Sequence, residues 1–250
     1  DLYRDAIDAT PGSEYLHIGG DEIGNIGLCP RCKPTADKEG MMALNLYWLK
    51  RVCEFAKENN RIPIFWDDMP LQHSGVYETT YNDEVTESET AKAWAAGIPK
   101  LDSLLSDFPK NCVYMRWNYG MARQPGNISA LDWYKNRGLN AMIATATNSE
   151  GGMLFQEDER EKGKNSSGIA VIRSFMQLAA EKNIGGALCT AWDDKSPHME
   201  NYWHGFIAAA EYSWSPTGRS LGEYDQAWLQ KEFGVSMFDY VSFNNQLRKG

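Results

Sequence analysis

The chain has 250 residues, with 25 Lys and Arg against 34 Asp and Glu, for a net charge of -9. That acidity disfavours nucleic acid as a partner, because a phosphate backbone calls for clustered Lys and Arg, and no apolar run approaches the roughly 18–20 residues of a membrane span. Hydrophobic residues make up 42% of the chain, enough for a sizeable core, and the nine Trp and twelve Tyr also suit the flat, C–H-rich faces of sugars.

In chain order, Leu2 to Ala9 reads as a helix that stops before Pro11-Gly12, and Glu14 to Ile18 as a strand running into Gly19-Gly20. A Gly-, Pro- and Cys-bearing loop is expected up to about Gly40. Met41 to Glu58 is a helix, with Leu44, Tyr47, Leu49 and Phe55 near helical spacing. Ile62 to Trp66 is a strand. The polar stretch from Leu71 to Pro99 reads as a long loop with short helices, followed by a helix over Leu101 to Phe108. Then come a strand over Cys112 to Trp117, a helix over Ala130 to Arg137 and a strand over Ala141 to Ala146. Gly151 to Ser167 is charged and Gly-rich, as a mobile loop would be. Ile169 to Lys182 is a helix, Gly186 to Trp192 a strand, Tyr202 to Trp214 an apolar helix, and Gln226 to Phe233 a further helix.

Strands that alternate with helices in this way imply an α/β fold with a parallel sheet or barrel. In such folds the functional groups gather at the C-terminal ends of the strands. Those ends carry Asp21 and Glu22, then Trp66, Asp67 and Asp68, then Trp117, Asn118 and Tyr119, then Asn148 and Glu150, and finally Trp192, Asp193 and Asp194. Taken singly, each acidic end has an ordinary explanation: Gly and Asp form turns, and Asp caps helices. It is the recurrence of carboxylate and Trp at the same relative strand end that points to sugar chemistry. A Mg²⁺ or Ca²⁺ site accounts for the acids but not for the Trp residues. His17, on a strand, has the setting of a core histidine rather than a metal ligand, and His73, His198 and His204 lack ligand spacing.

The five cysteines, an odd number, argue against a full disulfide framework. Cys53, Cys112 and Cys189 sit in apolar runs. Cys29-Pro30-Arg31-Cys32 has the spacing of a disulfide, a redox pair or half a zinc site. Zinc needs about two more ligands, so a local disulfide or two free thiols is the preferred reading. Asn127-Ile128-Ser129 and Asn165-Ser166-Ser167 fit the glycosylation pattern, which matters only in a eukaryotic secretory route. The chain begins at Asp1 rather than Met, so a signal peptide would already be absent. The compartment stays open, with an extracytoplasmic setting preferred.

The run His17-Ile18-Gly19-Gly20-Asp21-Glu22 at a strand end resembles the signature of glycoside hydrolase family 20, the β-N-acetylhexosaminidases. Trp66 with Asp68 resembles that family's fifth-strand tryptophan and acid, and Trp192 with Asp194 its last-strand pair. Tyr202 to Trp214 resembles the closing barrel helix. The similarity runs in order over about residues 1 to 220 and leaves 221–250 as a C-terminal helical extension. It implies a (β/α)8 TIM barrel, here only as strands four to eight, so that a missing N-terminal barrel half, or self-association, has to complete it. A lone chain of this kind is expected to hydrolyse weakly or not at all. The sequence departs from the family at the seventh strand, where Ala144 to Glu150 lacks the usual tyrosine. Either Tyr119 serves instead or the pocket differs. Asp68 and Asp194 also stand where the family has the longer Glu.

The resemblance further implies a glycan or amino-sugar substrate, no cofactor and no metal. In that family the substrate acetamide supplies the nucleophile. Glu22 would be the general acid and base, holding a proton near neutral pH, and Asp21 would orient the acetamide N–H. His17, Trp66, Asp68, Trp117, Tyr119, Trp192 and Asp194 would bind the sugar. Three other readings stand beside this one: a retaining glycosidase for a sugar without an acetamide, a carbohydrate-binding barrel without catalysis, and a thiol redox or zinc protein built on Cys29 and Cys32.

Overall fold

The computed structural model describes residues 2–147, 168–192, 202–236, 238, 239 and 242. Five strands form one sheet in the order β1-β2-β3-β4-β5, every neighbouring pair parallel. They are β1 (Tyr15–His17), β2 (Ile62–Trp66), β3 (Val113–Trp117), β4 (Asn140–Ala146) and β5 (Ala187–Thr190). Helix α1 (Leu2–Ala9) precedes them. Between successive strands run α2 (Lys33–Glu39) with α3 (Met41–Glu58), α4 (Asp68–Ser74) with α5 (Glu87–Ser103), α6 (Pro125–Asn136) and α7 (Ile169–Glu181). Helices α8 (Trp203–Trp214) and α9 (Leu221–Phe233) follow the last strand. The result is part of a (β/α)8 barrel, as the family resemblance implied.

The two faces of the sheet follow from the strand period of two. On the outer face Leu16, Phe65 and Tyr114 pack with Leu46, Leu49, Val52 and Cys53 of α3. The buried α3 positions, Asn45, Leu46, Leu49, Val52, Cys53 and Ala56, recur at three- and four-residue steps, which makes a single apolar stripe. Farther along, Ile143 of β4 packs with Ile172, Phe175 and Met176 of α7 and with Ala208 and Tyr212 of α8. On the inner face Ile64, Trp66, Val113, Met115 and Ala144 form a smaller cluster, which Trp117, Met142 and Leu188 join. The register Ile64↔Val113, Met115↔Met142 and Ala144↔Leu188 lines these residues up across four strands.

Several boundaries differ from the sequence reading. The stretch after Leu71 is far more helical than expected. α5 begins at a capping box, Thr86 with Glu89, that satisfies the first free N–H groups. Its buried side Thr90, Trp94, Gly97 and Leu101 then carries it through Pro99. The stripe, not the proline, sets the end of this helix, and the segment after it is a 3-10 turn, Leu105–Asp107. Proline at its start lets α2 form inside the expected loop. α9 begins five residues earlier than expected, at a second capping box of Ser220 and Glu223. It is fastened to α8 by Tyr224 Oη donating to the His204 carbonyl at 2.6 Å.

Asn127 is fully buried in α6 and donates its amide to the Ala122 carbonyl at 2.6 Å. A glycan has no access to that nitrogen in the folded chain. Asn165 lies outside the described residues. Among the described residues no helix is long and apolar enough to cross a membrane.

Candidate active site

The chain leaves β1 through two glycines in the left-handed region, Gly19 at φ 70° and Gly20 at φ 97°. Only glycine adopts these angles without strain, and a Cβ on Gly20 would also sit 3.3 Å from the Trp48 ring. Glu22 follows at φ 52°, an uncommon setting for a side-chain-bearing residue. Contacts from β2 and the start of α4 hold it there. The Glu22 N–H donates to Asp68 Oδ2 at 2.8 Å, and the Ile23 N–H points at Met69 Sδ at 3.2 Å. The Trp66 N–H donates to the Gly19 carbonyl at 3.1 Å. The turn therefore swings Glu22 out of the strand direction, and Asp68 braces its backbone.

Asp21 is half-buried and Glu22 exposed. The field of Asp21 is felt at His17, Asp68 and Tyr119, which come from three different strand ends. His17 accepts the Gly19 N–H at Nδ1, 3.2 Å away, which leaves Nε2 to carry the proton of the neutral ring. His17 is solvent-exposed on β1, unlike the core histidine expected; crowding by neighbours such as Trp66 still lowers its pKa, and Asp21 opposes that shift. Burial raises the Tyr119 hydroxyl to about 12.

The aromatic rings form one continuous run over the strand ends. His17 meets Trp66 at 4.6 Å, Trp66 meets Trp192 at 5.9 Å, and Trp192 meets Tyr119 at 6.5 Å. From Tyr119 the run continues to Trp117 at 5.2 Å, to Tyr77 at 6.0 Å and to Tyr81 at 5.0 Å. Trp66 is buried and also completes the inner-face cluster, whereas Trp192 is 37% exposed. A cavity of about 420 Å³ opens at this end of the sheet between Glu22, Tyr77, Tyr81, Trp117, Asn118 and Tyr119. The Glu22 carboxylate beside the rings of Tyr77, Tyr81, Trp117 and Tyr119 suits a ligand with polar edges and C–H faces.

Beneath the cavity Asp67 and Arg116 form a fully buried ion pair, with Arg116 Nη1 3.3 Å from Asp67 Oδ1. Arg116 Nε also donates to the Trp117 carbonyl at 3.1 Å. Its guanidinium lies 5.7 Å from the Tyr77 ring centre and 5.9 Å from that of Trp117. Burial pushes Asp67 up to about 7 against the opposing pull of Arg116. Burial likewise raises Asp68 to about 6, against the hydrogen bond from the Glu22 backbone.

The fold thus brings together His17, Asp21, Glu22, Trp66, Asp68, Trp117, Tyr119 and Trp192. Asp194, Asp193, Asn148 and Glu150 lie outside the described residues. Sequence reading missed Tyr77, Tyr81 and Arg116. A cation inside the apolar run Val113-Tyr114-Met115-Arg116-Trp117 was the available signal, because a buried Arg requires a carboxylate partner. The two tyrosines gave no signal, since they come from a segment without strand or helix periodicity. Cys29 and Cys32 are free thiols, and no group of three or more His, Cys, Asp or Glu among the described residues could hold a metal.

A parallel half-barrel with carboxylates and aromatic rings on its C-terminal strand ends is the scaffold of a carbohydrate-active domain. The family model for the glycosyl hydrolase family 20 catalytic domain matches residues 1–217, and the chain belongs to that family. Among solved structures it is similar to the β-N-acetylhexosaminidase from Bacteroides fragilis NCTC 9343, with a TM-score of 0.55 and 19% sequence identity. The match covers 92% of this chain and 41% of that one, so the chain spans well under half of that enzyme's length. No protein of curated function matches the chain.

Proposed function

We propose that this chain carries the acid-bearing part of a site that hydrolyses terminal β-linked N-acetylhexosamine by substrate-assisted retention. The observation that carries the reading is the turn after β1. It sets Glu22 on the wall of an aromatic-lined cavity, held at a positive φ by Asp68, with Asp21 next to it in the chain and its charge felt at His17, Asp68 and Tyr119.

In this reading the acetamide oxygen of the bound sugar attacks the anomeric carbon and closes an oxazolinium ring, so the protein need not supply a nucleophile. Glu22 donates a proton to the departing glycosidic oxygen and later takes one from the attacking water. Exposure at the cavity mouth suits that role, because both leaving group and water arrive from solvent. The Asp21 carboxylate accepts the acetamide N–H and stabilises the positive charge of the intermediate. Trp66, Trp117 and Trp192 wall the sugar ring and the acetamido methyl, and Tyr119 takes the place of the absent seventh-strand tyrosine. His17, through Nε2, and Asp194 contact sugar hydroxyls.

Aryl β-glycosides in matched pairs, with and without the 2-acetamido group, test the reading on the enzyme that contains this chain. Turnover of the acetamido member alone, with inhibition by an N-acetylglucosamine-thiazoline, is the expected result. Equal turnover of both members, or no inhibition by the thiazoline, would move a second-carboxylate mechanism ahead.

A further inference from the structure

The chemistry above makes no use of Cys29 and Cys32. Both are free; Cys29 is exposed and Cys32 half-buried. They close a tight turn in which the Cys32 and Lys33 N–H groups donate to the Cys29 carbonyl at 3.1 and 2.9 Å. The Cys32 N–H also lies 3.3 Å from Cys29 Sγ, so a peptide donor faces that sulfur. The Cys32 side chain, this backbone donor and the Arg31 charge together draw the Cys29 thiol below its usual range, and the same pairing pushes Cys32 up. The other cysteines have different settings. Cys53 and Cys112 are sealed in the outer-face core, and burial raises Cys189.

We propose that Cys29 and Cys32 form a thiol–disulfide exchange site for small peptide disulfides of the glutathione class, with Cys29 as the attacking sulfur and Cys32 as the resolving one. In the first step the Cys29 thiolate attacks one sulfur of the disulfide, forming a mixed disulfide and releasing one thiolate. In the second, Cys32 gives up its proton and attacks Cys29 Sγ, closing the Cys29–Cys32 bond and releasing the second thiol. The protein loses two electrons and two protons, and one disulfide becomes two thiols.

Two further features fit exchange better than a structural staple. A bridge here closes a four-residue loop that hydrogen bonds already hold, so little loop-closure entropy is gained and the bond stays easy to reverse. Both cysteines also line a cleft of about 590 Å³ walled by Tyr47, Trp48, Arg51 and Phe55. That cleft gives the peptide part of a reagent an apolar seat, with Arg51 on its wall for a carboxylate.

The test is incubation of the reduced 250-residue chain with glutathione disulfide, native and in urea, followed by non-reducing peptide mapping. The expected result is a Cys29–Cys32 bridge that forms several-fold faster in the folded chain than in the unfolded one and that dithiothreitol reverses. Cys32→Ser should accumulate glutathione on Cys29, and Cys29→Ser should leave Cys32 unmodified. A folded chain that reacts no faster than the unfolded one would overturn the proposal. So would first attack at Cys32, or a bridge at Cys53–Cys112. The folded-against-unfolded comparison uses the unaltered chain and does not depend on either variant folding, and none of these readouts depends on glycosidase activity.

Discussion

Asp21-Glu22 and Asp67-Asp68 occupy corresponding places, each a consecutive acidic pair just past a strand of one parallel sheet, yet their surroundings are opposite. β1 is an edge strand of the described sheet, and its pair lies half-buried and exposed. β2 has β1 on one side and β3 on the other, and Asp67 and Asp68 are 0% and 1% exposed. The inner pair therefore meets the cost of desolvation, which raises both carboxyls, while solvent still reaches the outer pair. The same two-residue pattern thus yields a solvent-accessible pair, to which we assign the catalytic work, in one place and a buried pair in the other. Asp68 holds the Glu22 backbone, and Asp67 balances Arg116 beneath the aromatic wall.

The largest expected effect is at the outer pair. Glu22→Gln should cost roughly 10²–10⁴-fold in kcat/KM with poor leaving groups. Dinitrophenyl substrates, which need no protonation, should be partly spared in the first step. Asp21→Asn should slow both kinds of substrate, because it weakens the acetamide nucleophile itself, and should also weaken binding of the thiazoline. A Glu22→Gln enzyme that loses both substrates equally would erase the division of labour within the pair.

A smaller effect is expected where the inner pair supports the outer. Asp68→Asn keeps the shape but exchanges a charged acceptor for a neutral one facing the Glu22 N–H. The weaker hydrogen bond, by about 1–1.5 kcal/mol, should lower kcat/KM by roughly tenfold through misplacement of Glu22. Unchanged kinetics would show that Gly19 and Gly20 alone set the turn.

The smallest effect on activity, and the clearest on stability, belongs to Asp67. Its folded pKa of about 7 lies above the roughly 3.9 of an unfolded aspartate. The folded state thus binds the extra proton between these values, so the stability it contributes is full below about pH 4 and is lost as pH rises through 7. Asp68 acts in the same sense up to about 6. Denaturant melts should show wild-type stability falling across that window by up to about 1.4 kcal/mol per pH unit per proton. Asp67→Asn should flatten the slope, because the amide takes up no proton, and should cost about 3–5 kcal/mol at pH 8, because it leaves Arg116 buried without a counter-charge. A variant as stable as wild type at pH 8 would show that the pair with Arg116 contributes little.

Much of the fold is legible along the chain because helices and strands announce themselves by period. Met41–Glu58 falls on the predicted helix boundaries, and Ile62–Trp66 on the predicted strand. The site was legible for a topological reason. In a parallel sheet all strands end on the same side, so acids and aromatics past those ends must meet. Less legible was the stretch after Leu71, where polar residues hid the stripe that buries α5 and Tyr77 and Tyr81 carried no periodic mark.

By itself, then, the sequence determined the alternation of elements, the parallel sheet, the glycine turn after β1 and the identity of the residues past each strand. Those are local properties, set by side-chain period and by the few residues that tolerate a positive φ. Tertiary structure alone decided which acidic pair is buried, that Arg116 answers Asp67, and that seven rings join in one run. The physical reason is that desolvation, ion pairing and ring contact depend on neighbours brought in from other strands, and strand order, not the chain's local pattern, chooses those neighbours.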